Sequence, residues 1–76
     1  MDEFLRYVVR QLVEYPEEVR LSHREEGGKT VFLLSLHSSD VGRLIGKGGG
    51  TIRAIRDLLH AAAEKRGLKA TLEIED

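Results

Sequence analysis

The chain has 76 residues, of which 41% are apolar and 33% are charged, and it contains no cysteine. A fold of this length buries only about 60% of the surface that its unfolded chain exposes, so a two-lobed enzyme with a deep interdomain cleft is not expected. The absence of cysteine excludes disulfides, thiolate zinc sites and cysteine nucleophiles. The sequence therefore predicts a single domain over residues 1–76, without catalytic activity, cofactor or metal.

The N-terminal sequence and the length of the apolar runs indicate where in the cell the protein is expected. The sequence begins Met1-Asp2-Glu3, without the basic and apolar stretches of a secretory signal, so no such signal is expected. The longest unbroken apolar run, residues 31–34, is too short to span a bilayer. Together with the absence of cysteine, these features favour a cytoplasmic protein.

The net charge of −1 hides an uneven distribution of charge. Residues 41–69 contain seven basic and two acidic side chains, a net charge of +5, and the rest of the chain carries −6. The cationic half also contains the main glycine cluster of the sequence. This asymmetry favours a polyanionic partner, although an uneven patch is also ordinary on a small protein.

Hydrophobic periodicity predicts six elements in the order α-β-β-α-α-β. They are a helix over 2–14, strands over 18–25 and 30–37, helices over 39–45 and from 50 or 51 to 66, and a strand over 70–75. Tyr15-Pro16 ends the first helix, because the residue before proline avoids helical backbone angles. Gly27-Gly28 predicts a hairpin turn, and Gly67 ends the last helix.

The apolar residues of these elements predict an α+β fold. Each strand has one apolar face, which fits a three-stranded mixed sheet with three helices packed on one face. Phe4 and Phe32 are expected in the core, and Ser38 and Ser39 are expected to cap the helix that follows them. The apolar stripe of the last helix is predicted to consist of Ile52, Ile55, Leu59 and Ala62.

The glycine cluster between the second and third helices fails two tests for nucleotide-binding loops. A P-loop needs a serine or threonine after its lysine, and Lys47 is followed by Gly48. A dinucleotide-binding loop with Gly46 and Gly48 as its first glycines needs a third glycine at position 51, which is Thr51. The remaining match is a helix–loop–helix with a G-x-x-G loop.

The residues in and around the G-x-x-G loop suit the binding of a phosphate group. Glycines leave no Cβ in the way of an approaching phosphate, and the N-terminus of the next helix supplies N–H donors and positive potential. Lys47 adds a charge at the tip of the loop, and three arginines lie within two turns of it. The alternative is that Gly46 and Gly49 only cap two helices. The candidate contact residues are Arg43, Ile45, Gly46, Lys47, Gly48, Gly49, Gly50, Ile52, Arg53 and Arg56.

Residues 45–52, Ile-Gly-Lys-Gly-Gly-Gly-Thr-Ile, resemble the I-G-x-x-G-x-x-I signature of KH domains. The element order resembles the type II, prokaryotic KH arrangement. Nearly the whole chain resembles the small stand-alone bacterial KH proteins of the KhpA-like family, including Tyr15-Pro16-Glu17-Glu18-Val19 and the run from Asp40 to Lys47. One departure is Gly50, because the position after G-x-x-G is commonly basic in such proteins.

The resemblance implies single-stranded RNA binding in a narrow groove, with the loop contacting the sugar-phosphate backbone. One wall of that groove would be the 39–45 helix with the glycine loop, and the other the last strand with the turn before it. A backbone clamp also accepts single-stranded DNA. The resemblance further implies a role as RNA chaperone or post-transcriptional regulator, as a homodimer or paired with a larger KH-containing protein.

Two other classes of function remain open at this point. The first is a KH fold used mainly for dimerisation or protein interaction, which the near-zero net charge and Gly50 favour slightly. The second is an enzyme acting on a phosphorylated small molecule, which has little support because no convergent acid/base pair is visible and the chain is too short for an enclosed pocket. His23, His37 and His60 lie on different elements without metal-ligand spacing, which argues against a metal or catalytic role for them. The absence of aromatic residues from positions 38–70 argues against a base-stacking platform.

Overall fold

The computed structural model describes residues 1–75 and contains the six predicted elements in the predicted order. The helices are α1 (Asp2–Leu12), α2 (Ser38–Ile45) and α3 (Gly50–Lys65), and the strands are β1 (Arg20–Glu26), β2 (Lys29–Ser35) and β3 (Ala70–Glu75). Two short 3₁₀ turns lie at Pro16–Glu18 and Lys47–Gly49. Asp76, the last residue of the predicted domain, lies outside the described residues. Over residues 1–75, no helix has the length and apolar character needed to cross a membrane.

The three strands form one mixed sheet in the order β1-β2-β3, as the sequence predicts. β1 and β2 are antiparallel around the Gly27-Gly28 turn, where both glycines have positive φ. β2 and β3 are parallel, because the chain crosses over through α2 and α3 between them. β2 is therefore the central strand, which explains why apolar residues occur on both of its faces.

All three helices pack on one face of the sheet, and the core lies between the two layers. The buried side chains come from every helix and from the inner face of the sheet, and the largest include Leu5, Val9, Phe32, Leu34, Leu44, Leu59 and Leu72. The α+β fold class is thus confirmed.

Two predicted core positions are wrong. Phe4 is 39% exposed, because Leu5 and Val9 point to the sheet and Phe4 lies about 100° from Leu5 around α1. On α3 the buried stripe continues from Leu59 to Ala63 instead of Ala62, a step of four residues in place of three.

The prediction that a serine hydroxyl caps α2 is also wrong. The N-cap is His37, whose Nδ1 accepts a hydrogen bond from the Ser39 backbone N–H at 3.1 Å. The His37 ring stacks on Tyr15 with 4.2 Å between ring centroids. The aromatic contact holds the imidazole in the position that a capping side chain needs, so histidine takes the role for which serine is the usual choice.

Asp40, in the first turn of α2, connects that helix to the segment after α1. Its side chain is 1% exposed, and its two carboxylate oxygens accept the backbone N–H groups of Glu14 and Tyr15 at 2.9 and 3.0 Å. Arg43 Nε lies 3.3 Å from the same carboxylate. Burial by itself raises the pKa of Asp40, but the two N–H donors and the arginine outweigh burial and hold the pKa below the ordinary value of 3.8.

This lowered pKa predicts a loss of stability in acid. Between the native pKa of Asp40 and 3.8, the unfolded chain binds the proton more readily than the folded chain does. The stabilisation is therefore complete above pH 3.8 and is lost as the pH falls below that value. Urea unfolding of the wild type and of Asp40→Asn, followed by circular dichroism, should show the difference in stability between them shrinking from about pH 5 to about pH 3. Parallel pH profiles would contradict this assignment, and the exposed Asp57→Asn is the control.

Candidate nucleic-acid interface

The glycine loop connects the end of α2 to the start of α3 through a tight reversal of the backbone. Gly46, Gly48 and Gly49 have φ values of +77°, +63° and +76°, a region that side-chain-bearing residues rarely adopt. The Gly46 N–H donates to Gly42 O, and the Gly49 N–H donates to Gly46 O, both at 3.0 Å. The backbone of the loop therefore requires glycine at all three positions, so these glycines do more than end one helix and begin the next.

The glycines differ in what surrounds them. A Cβ added to Gly46 would lie 2.9 Å from the Thr51 backbone nitrogen and 2.8 Å from its Cβ, so this position has no room for a side chain. A Cβ added to Gly48 or Gly49 would have no heavy atom within 4 Å. The backbone at Gly48 and Gly49 consequently faces open space, which is what a ligand approaching the main chain requires.

Gly50 is the first residue of α3 and has ordinary helical angles, with φ −65° and ψ −41°. A Cβ there would also meet no atom within 4 Å. The backbone therefore does not require glycine at this position, and a larger residue fits.

The isoleucines on either side of the loop have different environments. Ile52 is buried in the core together with Leu44 and Ile55, and it anchors the start of α3. Ile45 is 37% exposed at the end of α2. Of the two predicted contact residues, Ile45 presents apolar surface beside the loop, whereas Ile52 supports it from below.

The four predicted cations divide into two kinds. Lys47 and Arg53 are exposed, and within residues 1–75 neither forms an ion pair. Arg43 lies 3.4 Å from a Glu14 carboxylate oxygen as well as close to Asp40, so its charge is balanced by two acids. Lys47 and Arg53 are the cations whose charge is directed to solvent at the loop.

Arg56 connects α3 to the sheet. Its Nε donates to the backbone carbonyl of Leu72 on β3 at 3.0 Å. This contact holds α3 against the outer edge of β3 and forms one side of the seam between them. Sequence reasoning missed it, because a backbone acceptor sixteen positions away leaves no mark in the sequence.

The outer edge of β3 faces the same seam. Lys69 O accepts the Thr30 N–H of β2 at 2.9 Å, so the peptide groups of Lys69 face inward. Because peptide groups alternate along a strand, those of Ala70, Leu72 and Ile74 point away from β2. The seam thus has α3 on one side and, on the other, a strand edge whose outward backbone groups do not bond to β2 and of which the Leu72 carbonyl is bound by Arg56.

The histidines are spread over the molecule. His23 lies on β1 with its Nδ1 3.7 Å from an Asp2 carboxylate oxygen, His37 caps α2 and His60 lies on α3. Over residues 1–75 no group of three or more His, Asp or Glu side chains has the arrangement of a metal site.

Comparison with known proteins agrees with this architecture. The profile of the family described as KhpA/KhpB, KH domain, matches residues 2–74. A protein of Chlamydia pneumoniae named RNA-binding protein KhpA is 42% identical over 97% of this chain and 95% of its own. Proteins of the same name from Halalkalibacterium halodurans and Bacillus subtilis are each 36% identical over all of this chain, and over 100% and 94% of their own lengths. These relatives are named as binding proteins, which agrees with the prediction of a non-catalytic domain. The chain belongs to the KhpA/KhpB family of KH-domain proteins.

Proposed function

We propose that residues 1–76 form a single KH domain that binds single-stranded RNA in the cytoplasm through its glycine loop. The observation that carries this proposal is the open space at Gly48 and Gly49, next to the exposed Lys47 and at the start of a sixteen-residue helix. The relatives that share this chain's full length are named RNA-binding proteins. Their name supports RNA as the polyanion that the cationic segment attracts.

The mechanism follows from the donors around the loop. The N-terminus of α3 offers positive potential to a phosphate, while the N–H groups of Gly49 and Gly50 donate to Gly46 O and Lys47 O within the loop. Lys47 adds a mobile positive charge, and Arg53, on the first turn of α3, adds a second. Ile45 supplies an apolar contact for a sugar or base. The outward backbone groups of β3, apart from the Leu72 carbonyl that Arg56 binds, give bases hydrogen-bonding partners across the seam.

Binding of fluorescent single-stranded RNA, measured by anisotropy at several salt concentrations, tests this function. About three phosphate contacts on a single strand predict a log–log salt slope of roughly −2. Single-stranded DNA of the same sequence should compete, because a backbone clamp accepts both, and a preference for RNA would identify a 2′-hydroxyl contact. The absence of binding at high protein concentration would overturn the proposal.

Gly50→Lys should strengthen RNA binding. The helical angles and open surroundings of position 50 accept a lysine, which adds a third solvent-directed cation at the loop. One more phosphate contact predicts a salt slope steeper by about 0.7. Gly50→Ala is the matched control, because it changes the backbone in the same way without the charge. Equal salt slopes for the lysine and alanine variants would show that phosphate does not pass this position.

We further propose that the protein acts in RNA chaperoning or post-transcriptional regulation as a homodimer or with a larger KH-containing protein. Two exposed apolar side chains support a protein partner: Tyr7 on α1 is 68% exposed and Leu58 on α3 is 54% exposed. A single clamp holds about four nucleotides, so a second RNA-binding unit raises avidity. Sedimentation over a range of concentrations tests pairing, and Leu58→Lys should weaken a dimer that uses this surface. A monomer at every concentration would contradict the homodimer.

A further inference from the structure

The outer side of β1 is an open edge of the sheet. In the order β1-β2-β3, the strand that pairs with β1 among residues 1–75 is β2 alone, and every residue of β1 except the half-buried Leu21 is exposed. The other edge strand, β3, faces the seam beside α3. The edge of β1 is therefore the place where the sheet can accept a further strand.

The backbone groups on this edge belong to alternate residues of β1. Thr30 lies opposite Glu25 in the hairpin, and its N–H donates to Lys69 O on the β3 side, so the peptide groups of Thr30 and Glu25 point away from each other. Because peptide groups alternate along a strand, those of Leu21 and His23 also point away from β2. Three residues thus present N–H and C=O groups to a strand that pairs with β1.

The charges along β1 are complementary to a second, antiparallel copy of the same strand. Arg20 and Arg24 precede Glu25 and Glu26, so the strand has no net charge but is positive at its start and negative at its end. An antiparallel pair centred on His23 sets Arg20 of each copy opposite Glu26 of the other. The same register brings the outward backbone groups of the two copies together.

The neighbouring registers place like charges opposite each other. A pair centred on Ser22 sets Arg20 against Arg24 of the other copy, and a pair centred on Arg24 sets this arginine against itself. Like charges directly opposite on two strands are destabilising. The charge pattern therefore favours the register centred on His23 over the registers on either side of it.

The contacts within one copy leave the pairing charges accessible. Arg20 Nη1 donates to two nearby backbone carbonyls at 2.9 and 3.2 Å, and over the described residues no carboxylate lies within ion-pair distance of it. Glu26 binds Arg24 Nε through Oε2 at 2.8 Å, which leaves its other oxygen for a second arginine. Lys29 lies opposite Glu26 in the hairpin without an ion pair between them. Arg20 is thus the cation of β1 that gains a carboxylate when two copies pair.

We infer that two copies of this chain pair through the outer edges of their β1 strands, antiparallel and centred on His23. The inference deepens the homodimer proposed above and rests on it. The two sheets then form one sheet of six strands, β3-β2-β1-β1-β2-β3, with the seam of each copy at a far edge. Five strand spacings of about 4.8 Å set the two β3 strands about 24 Å apart. Pairing uses the open edge of both copies, so the assembly closes as a dimer with two separate RNA sites.

Because the chain contains no cysteine, single introduced cysteines measure the register directly. In His23→Cys the two new residues lie opposite each other, with about 5.5 Å between their Cα atoms, which suits a disulfide. In the control Ser22→Cys they lie diagonally, about 8 Å apart, beyond the roughly 7 Å limit. With oxidised glutathione as the oxidant, His23→Cys should form a covalent dimer on a non-reducing gel while Ser22→Cys stays monomeric.

Charge reversal tests the same register through its ion pairs. Arg20→Glu and Glu26→Arg each set like charges opposite at two places in the dimer, so each should raise the dissociation constant of the dimer on the order of 10-fold. Arg20→Glu/Glu26→Arg restores opposite charges and should return the constant to that of the wild type. Sedimentation over a range of concentrations measures the constant, and circular dichroism checks that each variant is folded.

The outcomes separate this interface from the proposals on which it rests. A wild type that is monomeric at every concentration overturns the homodimer and this interface with it. A wild-type dimer in which His23→Cys links no faster than Ser22→Cys, or in which the double charge reversal does not restore pairing, overturns only the interface at β1. Efficient linking of Leu58→Cys in place of His23→Cys would overturn it too and assign the pairing to α3. RNA binding at the loop is read separately by anisotropy.

Discussion

The double substitution Lys47→Asp/Gly48→Asp should abolish RNA binding while leaving the domain folded. It changes the charge at the loop by three units, from one positive to two negative, where the proposed phosphate lies. A unit charge about 4 Å from a phosphate in water is worth roughly 1 kcal/mol, so three units weaken binding on the order of 100-fold. Anisotropy with single-stranded RNA measures the loss.

The fold should tolerate this change because of the local backbone. Gly48 has open surroundings and φ +63°, and aspartate is among the residues that adopt such angles most readily. Lys47→Gln/Gly48→Asn has nearly the same shape without the negative charges, and its affinity should fall between those of the wild type and the aspartate variant. If the folded aspartate variant binds RNA as the wild type does, the loop is not the clamp.

Gly46→Ala should destabilise the domain more than alanine at any other loop glycine. The angles of Gly46, φ +77° and ψ 169°, lie in a region essentially reserved for glycine and cost a residue with a side chain about 1–3 kcal/mol, and the overlap with Thr51 adds an overpacking cost of about 1–3 kcal/mol. A total near 3 kcal/mol lowers the Tm of a domain of this size by about 10–20 °C. Thermal and urea unfolding, followed by circular dichroism, measure both quantities.

The neighbouring glycines provide a graded comparison. Gly48→Ala has the angular cost but no overlap, so it should lose about 1–2 kcal/mol. Gly50→Ala has neither the angular cost nor an overlap with neighbouring atoms. It should leave the stability of the domain unchanged or raise it by up to about 1 kcal/mol, because alanine is a better helix former than glycine. Equal losses at positions 46 and 50 would mean that Thr51 does not pack against the loop as described.

The order and type of the elements were predictable because local signals agree with the fold. Alternation of apolar residues, the Gly27-Gly28 turn and the proline after α1 are each readable within a few positions. The glycine loop was predictable for the same reason, since its glycines occupy backbone angles that other residues avoid. Such signals are local, so no knowledge of tertiary contacts is needed to use them.

The features that sequence reasoning missed depend on contacts between distant residues. Asp40 binds the backbone of Glu14 and Tyr15, about 25 positions away, and Arg56 binds the carbonyl of Leu72. His37 caps α2 because Tyr15 supports its ring. Phe4 was expected in the core because it is large and apolar, but the direction in which α1 faces the sheet decides that Leu5 and Val9 are buried. Each of these requires the packing of two elements, which periodicity does not specify.

The residues of the candidate site fall into the same two groups, those that local sequence signals predict and those whose contacts involve distant residues. Lys47, Gly48 and Gly49 lie at the loop, as their spacing indicated; Lys47 and Gly48 are exposed, and Gly49 is half-buried with room for an added Cβ. Arg43 and Arg56 instead have partners in the fold, which their positive charge alone did not reveal. The position of a basic residue near a loop therefore does not show whether its charge is directed to solvent or is taken up by a partner in the fold.

The central claim, that single-stranded RNA binds at the glycine loop, is tested most directly by titrating the ¹⁵N-labelled protein with RNA and following each backbone amide by NMR. We expect the largest shifts at residues 45–51, followed by Leu72 and Ile74 on the outer edge of β3. The amides of β1 residues 20–24, on the far side of the sheet, should stay in place. Shifts concentrated on α1, or none at saturating RNA, would contradict the clamp and favour a KH domain whose main role is protein interaction.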